Sequence, residues 1–510
     1  MLQVIASVLF LWLSWHAFQY RSKKPLPPGP KPLPLIGNIH QFPTDNLWRQ
    51  YKKWHKKYGP LITLKMGPQT LISVGSHDIA RNLLSKKQAI YNSRPRAVYM
   101  GECVFKGLNT GLMPYGPQWK NHNRIQTKFL RSAWVSQYYP IQDLETKHVL
   151  HELLTNSDIK SIFQRFACSI NSTLAFGKRV EAQCQVMQDM SRINKHFNDM
   201  AETPLGMLVE FFPILNHLPF PIAPWKWKAE QVSREVFDLY LANLSIGKAS
   251  STWNWTREAL EMEEAQGMSE VELANIMGFI FDAGSEPITG TLRMFVMTAA
   301  ANPAAMAKAQ DELDQVVGSD RLPTHNDLAR LPYTHAVVME TLRWRPLIPA
   351  GFPHATLADD EFMGYRIPCN ATIILNNWSL DLDETLYENP LEFCPERWLE
   401  NPDLPLASFG FSRRKCPGQA LARDIVSLTI SRILWGYNIA PPLKNGQRAE
   451  VDTFNLEQGF SGPPVPFEVD FAPRSDKHRR IIEKEWNTAE KDPDVLMAEI
   501  ASQIKPIKKA

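Results

Sequence analysis

Residues 409–418 form the stretch of this chain whose residue types could most clearly do chemistry. They read Phe-Gly-Phe-Ser-Arg-Arg-Lys-Cys-Pro-Gly, and a helix-like run begins at Gln419 and continues apolar to Trp435. A thiolate at a helix N-terminus beside cations is stabilised as the anion. Backbone N–H groups of the first turn can point at the sulfur and tune a metal bound to it. The alternative, a free cysteine in a basic loop, does not explain the whole ten-residue context.

This stretch resembles the haem-binding loop of the cytochrome P450 family. The family pattern is Phe, two residues, Gly, any residue, Arg, any residue, Cys, any residue, Gly. Phe409, Arg414, Cys416 and Gly418 match it, whereas Ser412 stands where the family usually has glycine. A positive φ at Ser412 would therefore strain the turn. The resemblance implies a haem b cofactor with Cys416 as the axial thiolate on iron, a ligand that favours O–O cleavage.

Length, charge and cysteine spacing narrow the classes of protein. The chain has 510 residues and a formal net charge of +3. This nearly neutral balance gives no support to a nucleic-acid partner. The cysteines are scattered without CxxC or zinc spacing, which suits a reducing compartment. They are Cys103, Cys168, Cys184, Cys369, Cys394 and Cys416.

The N-terminus has the composition of a membrane anchor. Residues 2–18 are almost wholly apolar, and about twenty helical residues span roughly 30 Å of hydrocarbon. We predict a transmembrane helix at residues 1–20 and a basic, proline-rich hinge at 21–33. A cleaved signal peptide would need a small-residue cleavage site, and a buried helix would not be detached by prolines. The basic residues after the anchor place the catalytic domain in the cytosol, as in single-pass proteins of the endoplasmic reticulum membrane.

The rest of the sequence predicts a mainly α fold with small β-sheets. Residues 61–66 and 70–74 flank Gly-Pro-Gln and predict a β-hairpin, and residues 373–375 predict a further short strand. A long helix is expected from Ser269 to Ala300, because a serine cap precedes it and Asn-Pro follows. The resemblance implies a single large haem domain, α+β in class, over residues 34–472. Residues 473–510 are a charged C-terminal extension.

Three charged residues support the assignment of the cysteine loop. Glu340 and Arg343 lie three apart on a predicted helix and so share one face. Arg397 follows in Pro-Glu-Arg-Trp, nineteen residues before Cys416. The resemblance assigns the three charges to a buried network that braces the cysteine loop, a structural role rather than a catalytic one.

The resemblance also points to residues that hold the haem propionates. Trp119 matches a family tryptophan, and Lys120 stands where arginine is common, which keeps the charge but loses the bidentate fork. Asn123 replaces a usual arginine. Propionate binding is therefore expected to depend on Lys120 and on His354, whose position matches a family propionate ligand.

The predicted central helix departs from the family pattern at one position. The family's oxygen-binding motif is Ala or Gly, Gly, any residue, Asp or Glu, Thr. Ala283, Gly284 and Glu286 match, but Pro287 occupies the threonine position. The threonine hydroxyl normally holds a water and helps deliver protons during oxygen activation. Proline lacks a hydroxyl and an N–H, so the helix should kink and leave the Ala283 carbonyl without its usual donor.

Three interpretations of Pro287 follow. Thr291 lies one turn on and on the same face, so its hydroxyl could act as a surrogate. A substrate hydroxyl could complete the proton relay instead. Alternatively, the enzyme catalyses a rearrangement or a dehydration without oxygen activation. We favour monooxygenation, with Glu286 and Thr291 as the candidate catalytic residues.

By resemblance, apolar and aromatic residues form the walls of the substrate pocket, and such walls imply a lipophilic small molecule. They are Val104, Phe105, Leu108, Leu112, Phe279, Ile280, Leu347, Ile348, Phe352 and Phe460. Residues 211–228 alternate apolar residues with prolines and then add tryptophans and lysines. That composition suits a loop that dips into the membrane interface.

Electrons must come from another protein, because the sequence contains no flavin or nicotinamide motif. The resemblance implies NADPH-cytochrome P450 reductase, which docks on the basic face near the cysteine. Lys128, Arg131, Arg413 and Lys415 could supply charge there. The sequence as a whole resembles microsomal, fungal members of the family that act in secondary metabolism.

Two functions from other classes remain open. One is an oxygen-independent haem-thiolate isomerase or dehydratase, which only Pro287 supports. The other is a non-catalytic haem-binding relative. An intact Cys416 argues against loss of haem but not against inactivity.

Overall fold

The computed structural model describes residues 24–181, 187–189, 192–193, 204–444 and 446–509. The predicted anchor at residues 1–20, the start of the hinge and Cys184 lie outside these ranges. Within the described ranges, none of the helices combines the length and the apolar character that a membrane crossing requires.

The described chain is mainly helical, as the sequence predicts. Its first half contains α1 (Leu47–Tyr58), α2 (His77–Ala80), α3 (Gln88–Tyr91), α4 (Pro117–Leu130), α5 (Ser132–Val135), α6 (Tyr139–Glu152), α7 (Ile159–Phe176), α8 (Pro204–Phe211) and α9 (Pro224–Ala249). Its second half contains α10 (Trp255–Leu260), α11 (Glu270–Ala301), α12 (Pro303–Val316), α13 (His325–Leu328), α14 (Pro332–Trp344), α15 (Asn377–Leu380), α16 (Glu396–Glu400), α17 (Gln419–Gly436), α18 (Asp476–Thr488) and α19 (Pro493–Lys509). Two wider, π-type helices cover Arg81–Lys86 and Val98–Val104.

The strands are short and form small sheets. They are β1 (Leu61–Met66), β2 (Gln69–Val74), β3 (His354–Ala355), β4 (Asp360–Phe362), β5 (Tyr365–Ile367), β6 (Thr372–Leu375), β7 (Tyr437–Ala440), β8 (Leu443–Lys444), β9 (Gln447–Arg448) and β10 (Asp470–Pro473). The largest sheet has the order β1-β2-β6-β3, in which β1 and β2 form the predicted antiparallel hairpin and β2 pairs parallel with β6. The remaining sheets are the pairs β10–β7, β4–β5 and β8–β9.

Helix α11 runs through the centre of the molecule. It begins where the sequence predicts, because the Ser269 hydroxyl accepts a hydrogen bond from the Glu272 N–H at 3.1 Å. Most of its residues are buried against neighbouring helices. Gly284 permits a close approach: a Cβ there would lie 2.4 Å from Oδ1 of Asn171 on α7. A larger residue at this position would displace the Asn171 side chain, which donates to the Ala167 carbonyl at 2.9 Å.

The C-terminal extension packs onto the body of the protein. Ile482 of α18 and Met497 of α19 are buried, at 1% and 0% exposure. The Trp486 indole stacks on the His148 ring of α6, with ring centroids 4.2 Å apart. Lys147 of α6 forms an ion pair with Glu485 at 3.0 Å. These contacts make α18 and α19 part of the core around α6.

We expect Met497→Ala to lower the free energy of unfolding by about 2–5 kcal/mol, since it removes a fully buried side chain and leaves a cavity. Val495→Ala on the same helix is the matched control, because Val495 is 50% exposed. Chemical denaturation of the haem-loaded protein measures both. Equal stability of the two variants would show that α19 does not contribute to the core.

Candidate functional site

Cys416 lies in a tight loop that leads into α17. Its N–H donates to the Phe409 carbonyl at 2.8 Å, and α17 begins at Gln419. Gly410 and Ser412 have positive φ, at 71° and 59°. Ser412 therefore adopts the conformation that glycine adopts freely, at a cost of about 1–2 kcal/mol. Its hydroxyl also donates to Oε1 of Gln88 at 3.0 Å, which holds the strained turn in place.

The electrostatics of Cys416 differ from the sequence expectation. Burial by the surrounding protein raises the pKa of its thiol above the ordinary value, and this outweighs the opposing effects of the Gly418 N–H and Lys415. A metal cation bound to the sulfur would offset this cost of burial and favour the thiolate. The Cys416 residue is nevertheless solvent-accessible.

The charge network that the sequence predicts is formed around Glu340. Its carboxylate is fully buried and accepts hydrogen bonds from Nε and Nη2 of Arg343, both at 2.7 Å. It also accepts from Nε of Arg397 at 3.1 Å and from the Trp398 indole at 2.9 Å. The backbone N–H of Cys394 donates at 3.0 Å. One carboxylate thus fixes α14 to α16 and to the segment before it.

A second buried carboxylate, that of Asp381, connects this network to the residues before the cysteine loop. Asp381 accepts from the Ala407 N–H at 2.9 Å, and Nη1 of Arg343 donates to the Asp381 carbonyl at 2.8 Å. The Ser408 hydroxyl donates to the carbonyl of Leu342 on α14 at 2.8 Å. Residues 407–408, immediately before Phe409, are therefore attached to the same helix as Glu340.

Arg414 and Trp119 pack against each other at the cysteine loop. The Arg414 guanidinium lies 4.0 Å from the centre of the Trp119 ring. Its Nε donates to the Asn92 carbonyl at 2.8 Å and its Nη2 to the Met113 carbonyl at 3.0 Å. Burial lowers the pKa of Arg414 to about 10. Among the described residues, Nη1 of Arg414 and the Trp119 indole N–H have no acceptor, so both are available to a ligand.

Arg94 is a buried cation that the sequence analysis did not assign to the site. Its Nε donates to the Gly111 carbonyl at 3.1 Å, and its Nη1 to the Pro353 carbonyl at 2.5 Å. Its guanidinium stacks 4.2 Å from the centre of the Phe352 ring. The only signal in the sequence was Arg-Pro-Arg at 94–96, which does not show which arginine is buried.

The pair Arg94 and Arg414 forms a site for anionic groups. Burial and the neighbouring Arg414 lower the pKa of Arg94 well below its usual range. Within the described part of the chain, neither guanidinium forms an ion pair with a carboxylate. A buried and a partly buried cation without counter-ions are stabilised by an external anion. The carboxylates of a haem fit this requirement, and the accessible Cys416 sulfur fits its iron.

His354 lies beside these cations in the buried part of the site. Its Nδ1 lies 3.0 Å from the Tyr91 carbonyl, so this nitrogen carries the proton and donates. Burial, followed by the effect of Arg94, lowers the pKa of His354 well below 6.5. The ring is therefore neutral, with Nε2 as an acceptor, and it can donate to a carboxylate only after taking up a proton. Lys120, by contrast, is exposed, with its Nζ 5.2 Å from the centre of the Tyr115 ring.

The middle of α11 has one accessible face. Ala283 is exposed although most of the helix is buried, and Phe279 and Pro287, one turn before and after it, are partly accessible. The helix continues unbroken through Pro287. Burial raises the pKa of Glu286, and Arg293 opposes this shift. A carboxyl with a raised pKa on this helix is suited to carry a proton.

The three hydroxyls nearest to Pro287 in the helix differ in their hydrogen bonds. Ser285 donates to the carbonyl one turn earlier at 2.7 Å, and Thr289 donates to the Ser285 carbonyl at 2.9 Å. Thr291 is 8% exposed, and its hydroxyl has no hydrogen-bond partner in the described chain. Of these three hydroxyls, that of Thr291 is the one left available for another role.

We expect Arg94→Ala to weaken haem retention, because it removes the more deeply buried of the two cations available to the haem carboxylates. Transfer of haem to an excess of apomyoglobin should become about tenfold faster or more, given the strength of charge-assisted hydrogen bonds. Arg96→Ala is the matched control, since Arg96 is 53% exposed and pairs with Glu102. The same transfer rate in both variants would contradict a role for Arg94 in the site.

Comparison with known proteins agrees with this geometry. A sequence model of the cytochrome P450 family matches residues 27–471. The chain is 41% identical to cytochrome P450 monooxygenase drtD of Aspergillus calidoustus, over 93% of this chain and 91% of the relative. It is 38% identical to cytochrome P450 monooxygenase FrzL of a Cladobotryum species, over 94% of each chain. It is also 38% identical to the echilunin cytochrome P450 monooxygenase of Aspergillus ruber, over 97% of this chain and 92% of the relative.

The family match at residues 27–471 includes the cysteine loop, the Glu340 segment and the central helix, and each of these relatives aligns with more than nine-tenths of this chain. The similarity therefore covers every element that positions the site. The chain belongs to the cytochrome P450 family of haem-thiolate monooxygenases.

Proposed function

We propose that this monooxygenase oxidises a lipophilic small molecule in fungal secondary metabolism, at the endoplasmic reticulum membrane, with electrons from NADPH-cytochrome P450 reductase. The cysteine loop is the observation that supports the reaction type. A haem held by Cys416 supplies activation of dioxygen and transfer of one oxygen atom to the substrate. The protein's own residues hold the haem, exclude water and deliver protons.

The walls around the central helix favour a lipophilic substrate. Val104, Phe105 and Ile280 belong to the core, whereas Phe279, Leu347 and other predicted wall residues stay partly accessible. The Phe352 and Phe460 rings pack edge to face, with centroids 5.2 Å apart. A pocket lined in this way excludes water and gains free energy by burying apolar surface.

An exposed apolar surface supports membrane attachment. Ile214, Ile222 and Trp227 are 75%, 61% and 59% exposed, and Leu35 near the hinge is 89% exposed. The segment after the hinge, which contains Leu35, and the segment 211–228 both contact Gly67. The Gly67 N–H donates to the Ile36 carbonyl at 3.3 Å, and a Cβ at this glycine would lie 2.7 Å from the Phe212 ring. A contiguous exposed apolar surface of this kind is typical of membrane contact.

A basic surface beside the cysteine loop supports docking of the reductase. Arg413 is exposed and donates to the Tyr115 hydroxyl at 2.9 Å, and Lys120 lies over the same ring. Lys415 is also exposed. Lys128 is less suited to this role, because it forms an ion pair at 2.9 Å with the buried carboxylate of Glu258. Positive groups around the haem ligand would steer an acidic electron donor to this face, where the distance for electron transfer to the haem is shortest.

Proton delivery in this enzyme must work without the usual threonine. We infer that Glu286 carries the proton and that the Thr291 hydroxyl holds the water next to the reacting atoms. The hydroxyls of Ser285 and Thr289 are already committed to backbone carbonyls.

Turnover of the purified, haem-loaded protein with reductase, NADPH and isotopically labelled dioxygen tests the proposed function. Substrates are first selected from a panel of lipophilic compounds by shifts of the Soret band. Incorporation of one labelled oxygen atom into the product is the expected result. Product formed without NADPH would instead identify a rearranging haem enzyme, the reaction that Pro287 alone favours.

We expect Thr291→Val to divert electrons from product to peroxide and water, because proton delivery loses its hydroxyl. The ratio of product to NADPH consumed should fall about tenfold or more, within the range for general acid–base catalysis. Thr289→Val is the control, and it should keep the coupling ratio of the wild type. Equal uncoupling by both substitutions would show that Thr291 has no special role.

A further inference from the structure

One carboxyl on the accessible face of α11, that of Asp282, is used neither for haem binding nor for proton delivery. The residues of this helix that remain accessible include those at positions 279, 282, 283, 286 and 287. This is the spacing of a single helical face. Phe281 and Ile288, on other sides of the helix, are buried. Asp282 therefore shares the face that Phe279 and Pro287 present to the cavity.

Tyr240 of α9 holds the Asp282 carboxyl in place. The Tyr240 ring lies across Gly278 of α11, where a Cβ would stand 2.4 Å from the ring. Its hydroxyl donates a hydrogen bond to Oδ2 of Asp282. Tyr240 is 1% exposed, so packing between the two helices fixes the ring. The carboxyl thus has a defined position, and one of its oxygens is occupied by a protein donor.

The other oxygen of Asp282 has no hydrogen bond. Oδ1 is buried, and no donor in the described part of the chain reaches it. Burial raises the pKa of Asp282 to about 7, and among the described residues only the hydrogen bond from Tyr240 opposes this shift. An ionised Asp282 therefore lacks both a counter-charge and a donor for its second oxygen, a state that costs free energy in a poorly hydrated site.

Other acidic residues of α11 have such partners. Glu272 accepts hydrogen bonds from the His122 ring and from Gln118, both at 2.8 Å. Glu270 pairs with Lys248 at the surface. Arg293 lowers the pKa of Glu286, which lies one turn after Asp282. Asp282 differs from these residues because its charge is not balanced by a cation of the described chain.

A ligand that donates a hydrogen from nitrogen would supply what Asp282 lacks. A charge-assisted N–H···O bond is about twice as strong as a neutral one, and a protonated amine also brings the counter-charge. The other walls of the cavity are apolar, among them Phe279 and the packed rings of Phe352 and Phe460. A single polar group among apolar walls fixes the orientation of a bound molecule.

We propose that Asp282 is the specificity anchor of the pocket: the substrate is a lipophilic molecule with an N–H group, which donates to the Asp282 carboxyl that Tyr240 holds in place. The anchor rests on the proposed function, because it requires a lipophilic substrate beside α11. It selects and orients the substrate and takes no part in the transfer of oxygen.

Equilibrium binding to the full-length, haem-loaded protein tests the anchor with two series of probes whose imidazole ring ligates the iron. One series carries an alkyl tail that ends in a primary amine, and the other a tail of equal length that ends in a methyl group. Tail length is increased until the amine series binds most tightly. Soret titrations at about pH 8.5 keep the amines protonated and Asp282, with its pKa of about 7, ionised.

Asp282→Asn should weaken binding of the tightest amine probe about tenfold or more, because a charge-assisted hydrogen bond becomes a neutral one. The methyl-ended probe of the same length should stay within about twofold of its wild-type affinity. Asp282→Ala should weaken the amine probe further. Asp238→Asn is the matched control, since Asp238 is an exposed carboxylate on α9, and it should leave both affinities unchanged.

A wild-type ratio of amine to methyl affinity in both Asp282 variants would overturn the anchor. Equal weakening of both series would also overturn it, because a merely structural role gives that result. If Asp282→Ala fails to load haem, the isosteric Asp282→Asn decides the question. Labelled oxygen in the product together with an unchanged probe preference would overturn the anchor alone. The expected preference in an enzyme that transfers no oxygen would contradict the proposed function and leave the anchor standing.

Discussion

The structure depends on the buried carboxylate of Glu340. It is fully buried, and its charge is balanced by Arg343 and Arg397 and by hydrogen bonds from Trp398 and the Cys394 N–H. Loss of one charged partner would leave an unpaired buried charge, at about 3–5 kcal/mol. The same helix holds the residues before the cysteine loop. The position of the iron ligand is therefore set by a polar network that does not touch the ligand itself.

The haem-binding surface combines groups that are unfavourable without a cofactor. Burial raises the pKa of the Cys416 thiol, and the buried Arg94 lies near the partly buried Arg414, both with lowered pKa values. A haem would bring its iron to the Cys416 sulfur and its carboxylates to Arg94 and Arg414. A bound haem would therefore stabilise the folded protein, because it would supply the opposite charges that these groups lack. The strained Ser412 adds to the cost that binding must offset.

The sequence predicted the hairpin, the bounds of the central helix and the Glu340 network, because each depends on local spacing or on a specific motif. It did not predict the burial of Arg94 or the neutral state of His354, which arise from segments far apart in the chain. It also did not predict that burial raises the pKa of the Cys416 thiol, since a motif shows neighbouring charges but not desolvation. The packing of the C-terminal extension and the contact between Tyr240 and Asp282 likewise depend on tertiary structure.

The most direct test of the account is the Soret spectrum of the reduced, carbon monoxide-bound protein, compared between the wild type and Cys416→Ala. The account predicts the strongly red-shifted band of thiolate ligation in the wild type and its loss in the variant. The Cys394→Ala protein, which keeps the loop intact, should retain the band. A red-shifted band that survives in Cys416→Ala would show that another residue ligates the iron and would contradict the assignment of the site.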